Sequence, residues 1–500
     1  MAHALLLPLD NRPCTSRFPL EIAAIAGFEV VVPPLDLLGD VKNPAALKGL
    51  EVWLESQLGQ VPLLVISLDT WLYGGLVFSR KSNASLTLLT ERLQALVQLK
   101  ARFPGLRMAA FATLLRLSNH NDATEERPYW AEQGERIFRY AWLEHALLAD
   151  QDPDSSWHDE FQTLQSELPA DILLDYQGLR QRNLNLLFQA LDAVQADIFD
   201  YLYIGCDDSG TYGWNVQEKN QLAQAIVQKD LGSRVLLYPG ADELASALLI
   251  RALIPQSVSV ALEYTFPESA NLPTLYEGQP LIQTLQAQAQ AVGVSLGGED
   301  PPQAVLWLHN PPQLQFDQYL DRVSRQLLDS ADYLRLGKAI KAAVLPVAVA
   351  DLCYANGGDQ GLLTAFEEQG LLPLIKGYSA WNTSGNTLGF AFAWLKAWLH
   401  SHSQGCPSEA LQTRFLQERL LDDGWYQGVM RQRLCRHYSE PVTLDSCLRL
   451  LAFCNERLQL WHEAFAEPGS GVAEIRQLYF PWRRFFEISL AVCQKKQPTT

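Results

Sequence analysis

Asp207 and Asp208 are adjacent carboxylates, and they are the sharpest chemical feature of the chain. Adjacent carboxylates raise each other's pKa, so one can stay protonated near neutrality and act as an acid. The glycines that follow, Gly210 and Gly213, let main chain approach a ligand. A second acidic pair, Asp242–Glu243, follows a Gly-Ala turn and opens a helical pattern, where acids also suit the helix dipole. Asp207, Asp208, Asp242 and Glu243 are the candidate catalytic residues.

Other polar residues recur just after short apolar runs. "LLLPLDNRP" supplies Asp10, Asn11 and Arg12, and "VISLDTWLYGGL" supplies Asp69 and Tyr73. Arg116 follows the run at "ATLLRLSN", and "VADLCYANGGD" supplies Asp351 and Asn356. "GYSAWNTSGN" supplies Tyr378, Trp381, Asn382 and Asn386. In α/β folds, ligand sites form at the carboxyl ends of the strands, so these are the candidate substrate-binding residues. Helix caps and turns are the competing explanation for Asp and Asn. Caps do not call for Arg12, Arg116, Tyr73, Tyr378 or Trp381. Arginines beside acids suit a charged or anionic ligand group. Trp71, Trp214 and Trp381 stand where they could hold a sugar ring, with core packing as the alternative.

Ten strands are expected to position these residues: Ala4–Leu9, Phe28–Val32, Leu63–Leu68, Met108–Leu115, Tyr201–Cys206, Val235–Tyr238, Val258–Tyr264, Ala304–Leu308, Ala343–Ala350 and Leu374–Gly377. Their runs are continuously apolar, and amphipathic stretches such as Leu86–Leu99 and Lys219–Gln228 separate them. That pattern predicts an α/β fold with a mostly parallel sheet. The architecture is either a (β/α)8-type barrel with additions or two doubly wound, Rossmann-like domains. Residues 1–400 form the α/β catalytic region, with a helical insertion at about 119–196 and a sub-boundary near 255. Residues 401–500 are expected to form a helical C-terminal region.

Several chemistries are disfavoured. The net charge of −17 and the absence of a Lys/Arg-rich run argue against nucleic acid and anionic membranes. No GxGxxG, GxxxxGK[ST], HExxH or GxSxG motif occurs. The closest histidine pair is His400 and His402, and no cysteines form a CxxC pair, so a histidine-based zinc site is not expected. A carboxylate Mg²⁺ or Mn²⁺ site from Asp10, Asp69, Asp207 or Asp242 stays open, and no other cofactor is expected. The start of the chain reads as a strand rather than a signal peptide, and no apolar run reaches the ~18 residues of a membrane span. Cytoplasm is the expected compartment.

"LLPLDNRP", "SLDTWLYGGL", "PGADE", "DLCYANGGD" and "GYSAWNTSGNTLG" fall in this order, and the chain resembles a bacterial domain-of-unknown-function family, number 4127. The resemblance runs from the first residues to about Trp398, and "RLSNHNDATEERPYW" resembles the family's Glu-rich, Tyr/Trp-containing segment. It implies no established reaction. Asp207–Asp208 is also similar to the catalytic pair of barrel N-acetylhexosaminidases. That likeness implies one carboxyl orienting the substrate's acetamido group while its neighbour acts as acid/base. The leading expectation is a hydrolase of a glycoside or related polyhydroxylated small molecule. The alternatives are a Mg²⁺- or Mn²⁺-dependent isomerase or lyase, and a non-enzymatic two-lobed binding protein. Each takes a small molecule as partner, sugar-like or bearing an anionic group, and neither nucleic acid nor a membrane.

Overall fold

Each of the ten apolar runs forms a strand in the computed structural model, which describes residues 3–59, 61–208, 210–298, 300–319, 328–438, 442–465 and 473–494. The chain divides into two compact units. The first comprises residues 1–11, 29–248 and 276–278; the second comprises 12–28, 249–275 and 279–500. Helix makes up about 53% of the structure and the larger sheets are parallel, so the fold is α/β.

In the first unit, β1 (Ala4–Leu7), β2 (Val30–Val31), β3 (Leu63–Ser67), β4 (Arg107–Leu114), β5 (Tyr201–Cys206) and β6 (Val235–Pro239) form one parallel sheet. Its order is β2-β1-β3-β4-β5-β6. The strands do not alternate because successive residues of β1, β3 and β4 are buried on both faces. Leu64, Ile66, Met108, Ala110, Leu202 and Ile204 pack with Leu89, Leu93 and Leu96 of the helix Leu86–Arg102. The i, i+4, i+7 spacing of those leucines is an apolar helical stripe, and the Ser85 hydroxyl caps the helix by accepting from Leu88 N–H. The expected insertion is helical: Trp130–Ala149, Ser155–Glu167 and Ala170–Gln195. It has a small core of its own, with Trp130, Ile137, Tyr140, Tyr176 and Leu179 packed on Leu115, Leu117 and Trp214.

The second unit contains β7 (Val258–Tyr264), β8 (Val294–Leu296), β9 (Ala304–His309), β10 (Phe316–Asp317), β11 (Val347–Asp351), β12 (Tyr354–Ala355) and β13 (Ile375–Ser379). Five of them form a parallel sheet of order β8-β7-β9-β11-β13, and β10 pairs with β12. The helix Ser384–Ser403 is buried almost all round, as its apolar composition requires. It packs on β11, β13 and the helices Leu281–Val292 and Phe18–Ile25.

Both large sheets share one winding. The second strand goes to one side of the first, and every later strand goes to the other. The order therefore reverses between β1 and β3 in the first sheet and between β7 and β9 in the second. Such a reversal leaves a crevice at the carboxyl ends of the two strands that flank it.

Residues 401–465 are mainly helical, including a π-helical stretch Leu420–Met430. The expectation of a wholly helical C-terminal region is corrected by an antiparallel ribbon of β14 (Ala473–Tyr479) and β15 (Ser489–Gln494). Glu474, Arg476 and Gln477 interrupt the apolar pattern of β14, whose residues are half-buried or exposed, so no apolar run marked it. Residues 439–441, 466–472 and 495–500 of that region lie outside the described residues. No helix among the described residues is long and apolar enough to cross a membrane.

Gly205 in β5 is a test of this packing. A Cβ there would lie 2.3 Å from the carbonyl oxygen of Gly240 and 2.8 Å from a Leu244 methyl. Overpacking of this kind costs roughly 1–3 kcal/mol, so Gly205→Ala should lower the denaturant midpoint of the full chain. An unchanged midpoint would show that β5 and β6 are not packed this tightly.

Candidate functional site

The first unit gathers charge around two arginines. Arg80, on the short helix Leu76–Lys81, is 2% exposed. Its guanidinium meets Asp207 Oδ2 at 2.5 Å, Glu125 Oε2 at 2.7 Å and Glu126 Oε1 at 3.8 Å. Arg116, just beyond β4, meets Glu126 at 2.8 Å, Glu125 at 3.3 Å and Asp208 at 3.4 Å. A buried guanidinium is costly unless paired. Four acids surround the two arginines, with Lys81 a further cation interacting with Glu125 and Glu126, so negative charge remains in excess. Asp208 absorbs that excess. Burial, with the Asp207 charge added, raises its pKa to about 7 against the pull of Arg116 and Arg80. Its side chain is still 34% exposed, so the proton it holds is within reach of a bound molecule.

The loop after β5 is held in place by side-chain contacts. Tyr212 O–H donates to Asp150 Oδ2 at 3.0 Å, Trp214 Nε1–H to Glu144 Oε2 at 2.6 Å, and Gly213 N–H to His145 Nδ1 at 3.1 Å. Asp208 has φ +45°, a left-handed conformation uncommon for a side-chain-bearing residue, and Asn215 Nδ2 donates to its carbonyl at 3.3 Å. Neither aspartate caps the following helix: Gly213 occupies that position. Arg180 fixes the other wall. It pairs with both oxygens of Glu218 and donates to the carbonyls of Leu115 and Arg116 at 2.9 Å.

Asp69 lies at the end of β3 and is fully buried. Thr113 donates to it twice, from N–H at 2.8 Å and from its hydroxyl at 2.9 Å. Burial nevertheless outweighs these bonds and the charge of Arg80, and lifts its pKa to about 7. The neighbouring Thr70 hydroxyl donates to the carbonyls of Pro8 and Leu9, tying the end of β3 to the end of β1, where buried Asp10 stands. Tyr73 is buried beneath the Arg182 guanidinium, 5.4 Å from its ring centroid. Asn11 is half-buried and donates its N–H to Gly39. At the end of β6, Asp242 and Glu243 are buried just ahead of the helix Leu244–Leu253, with the Glu243 carboxyl against Gly240.

The second unit builds a different cluster. Asp351, the last residue of β11, accepts from Tyr378 O–H at 3.0 Å and from Asp359 N–H at 2.7 Å. Burial raises its pKa to about 6 despite the nearby His309. Asp359 caps the helix Gln360–Glu368 by accepting from Gly361 N–H, and it also accepts from Tyr333 O–H at 2.7 Å and pairs with His309 Nε2 at 3.0 Å. Thr265, just past β7, bonds His309 Nδ1 at 3.1 Å and accepts from Trp307 Nε1–H at 3.1 Å. The Thr265 oxygen has two lone pairs, so beside Trp307 Nε1–H it can also accept from Nδ1–H of the His309 imidazolium, while Nε2–H faces Asp359. Burial alone would lower the His309 pKa, but the bond to Asp359 and the charges of Asp351 and Asp359 outweigh it and raise it.

Several of the expected ligand residues make structural contacts. Trp381 packs on Phe18 and Phe486 in the core, Trp71 is buried with its N–H on the Arg92 carbonyl, and Trp214 is committed to Glu144. None of the three therefore offers an open face to a sugar. Asn386 bonds the capping hydroxyl of Thr383. Arg12 is buried with its guanidinium 4.8 Å from the Trp482 ring centroid, a cation–π contact. Asn356 and Asn382 both adopt φ near +60°, and Asn356 N–H donates to the Asn382 carbonyl at 2.7 Å. Their loop needs Gly358, because a Cβ there would lie 2.2 Å from the Tyr378 hydroxyl; one at Gly428 would lie 2.4 Å from the Gly358 carbonyl. The structure thus joins Asp207, Asp208 and Arg116 in one cluster, with Asp69 beside it, and Asp351 and Tyr378 in another. Sequence reasoning missed Arg80, Glu125, Glu126, Thr265, Tyr333 and Asp359. The Glu-rich "ATEERPYW" and the Asp that closes "VADLCYANGGD" were the visible signals among them.

Residues 4–491 match a family described as "Protein of unknown function (DUF4127)". The chain belongs to this family. The family match spans both clusters and nearly all of both units. No curated protein matches the chain.

The protonation of Asp69 has a thermodynamic signature. An unfolded aspartate ionises near pH 4 and the folded Asp69 near 7. Between those values the folded state holds the extra proton. Its stabilising contribution is therefore complete below about pH 4 and is lost as pH rises to about 7, at up to about 1.4 kcal/mol per pH unit. Asp69→Asn retains an acceptor for Thr113 N–H and should flatten part of that decline in denaturant titrations. Parallel curves for the variant and the natural chain would exclude a protonated Asp69.

Proposed function

We propose that the first unit is a hydrolase of a neutral, polyhydroxylated small molecule, a glycoside in the leading case, with Asp208 as general acid/base and Asp207 as the polarising group. The carrying observation is that two adjacent carboxylates have unlike environments. Asp207 is ion-paired with Arg80 at 2.5 Å, while burial and the Asp207 charge raise Asp208 to about 7. In the step proposed, Asp208 gives its proton to the leaving oxygen as the C–O bond breaks. As a carboxylate it then takes a proton from the water that adds to the carbon. Arg80 and Arg116 are already outnumbered by acids, which favours a neutral substrate over the anionic one expected from the arginines alone.

A Mg²⁺ or Mn²⁺ centre on Asp10, Asp69, Asp207 and Asp242 has less support, because Asp69 is bonded to Thr113 and Asp207 to Arg80. We read the strand orders as two doubly wound sheets rather than one (β/α)8 barrel, which puts Asp10 and Asp69 at the reversal of the first sheet. Eight free cysteines favour the reducing cytoplasm.

Asp208→Asn should lower kcat by about 10²–10⁴-fold on a responsive member of a nitrophenyl glycoside panel, with an unchanged circular dichroism spectrum. In the natural enzyme the rate should fall as pH rises past about 7. Arg116 depresses the Asp208 pKa, so Arg116→Gln should move that limb to higher pH. A full rate in Asp208→Asn, or a limb that ignores Arg116, would overturn the assignment.

A further inference from the structure

His309, Cys353 and Asp359 are buried residues of the second unit, and each comes from a different element. His309 ends β9, Cys353 follows β11, and Asp359 opens the helix Gln360–Glu368. One ligand atom from each lies within 4.8 Å of the other two. We infer that these three residues form a binding site for a thiophilic divalent cation of the zinc class, separate from the proposed acid/base pair.

Three observations support the site beyond the proximity of its donors. The first is charge. Asp351 and Asp359 are both buried, and among the described residues neither has a lysine or arginine as an ion-pair partner. His309 is the sole cationic partner of Asp359, in contrast to the two arginines around Asp207 and Asp208. Buried carboxylates need a counter-charge, and a bound cation supplies one. The second is the thiol. Cys353 is 0% exposed, and among the described residues its sulfur has no hydrogen-bond partner.

The third is the outer shell. His309 Nδ1 is bonded to Thr265, which is fixed in turn by Trp307, leaving Nε2 directed at Asp359. Asp359 is held by Tyr333 O–H and Gly361 N–H. Metal-bound histidines and carboxylates are oriented in this way. The Nε2–Oδ2 separation of 3.0 Å is near the value of about 3.3 Å for two ligands roughly 2.0–2.1 Å from one tetrahedral ion. Binding would release the Cys353 thiol proton and the Nε2 proton of the His309 imidazolium, leaving a neutral ring whose Nδ1–H donates to the Thr265 hydroxyl oxygen, and Asp359 would turn from hydrogen-bond acceptor to ligand. A set of one sulfur, one imidazole nitrogen and one carboxylate oxygen selects zinc-class ions over Mg²⁺ or Ca²⁺.

The test is metal binding by the full chain, with no activity assay. Zn²⁺ affinity is measured against a chromophoric chelator, and Co²⁺ is used as the spectroscopic probe. The natural chain should bind one Zn²⁺ that millimolar Mg²⁺ does not displace, and its Co²⁺ form should show a thiolate-to-cobalt charge-transfer band. Cys353→Ser should lose the band and bind Zn²⁺ at least tenfold more weakly. Thr265→Val should keep the band while losing about 10–100-fold in affinity. If the natural chain shows no thiolate band, or if Cys353→Ser matches it in both band and affinity, the site does not exist. Should Cys353→Ser fail to fold, Asp359→Asn and the Co²⁺ spectrum of the natural chain still decide the question.

Discussion

A carboxylate or guanidinium removed from water must find its charge balance inside the protein, and that demand organises both clusters. In the first unit the demand is met by arginines. Arg80 is almost wholly enclosed, and Glu125, Glu126 and Asp207 surround it. The acids outnumber the arginines, and burial together with the Asp207 charge raises the pKa of Asp208, the most open of the four acidic side chains. In the second unit no guanidinium among the described residues is paired with Asp351 or Asp359, and the balance there comes from a histidine and from hydroxyl and amide donors. The same residue type at the same end of a parallel sheet is therefore balanced differently in the two units, according to which cation was folded in beside it.

The winding of the sheets explains why those residues meet at all. Parallel strands need long crossovers, so every strand in a sheet ends on the same side, and residues distant in sequence collect there. Asp69 comes from just beyond β3, Thr113 from β4 and Asp207 from just beyond β5; Thr265 follows β7, while His309 and Asp351 end β9 and β11 of the second sheet. The helical insertion after β4 adds a second layer of control. It supplies Glu144, His145 and Asp150, which hold the loop carrying Asp208.

Much of this was legible in the sequence. The strands of both parallel sheets were visible because two-sided burial makes them continuously apolar, with the exception of the three-residue β8. The insertion helices were visible from their periodicity. The β14–β15 ribbon was not, because its first strand is polar and only partly covered. Among the site residues, Asp207, Asp208 and Arg116 were found because they follow apolar runs. Arg80 was hidden because it lies on a helix, where an arginine ordinarily faces solvent, and only tertiary packing turns it inward. His309, Cys353 and Asp359 were hidden for a different reason. Their spacing matches no ligand motif, since the fold rather than the local chain brings them together. The tryptophans misled because an indole beside a polar strand end can equally be a wedge in the core.

The contact between Gly358 and Gly428 has a consequence for how this protein can change. It is backbone against backbone, with no side chain between the loop after β12 and the π-helical stretch. Most packed contacts can absorb a substitution by choosing another rotamer. This one has no such freedom, so neither segment can shift without the other. The loop that carries Asn356 and leads to Asp359 therefore has little room to drift, and variation in the second unit is channelled to surfaces away from it.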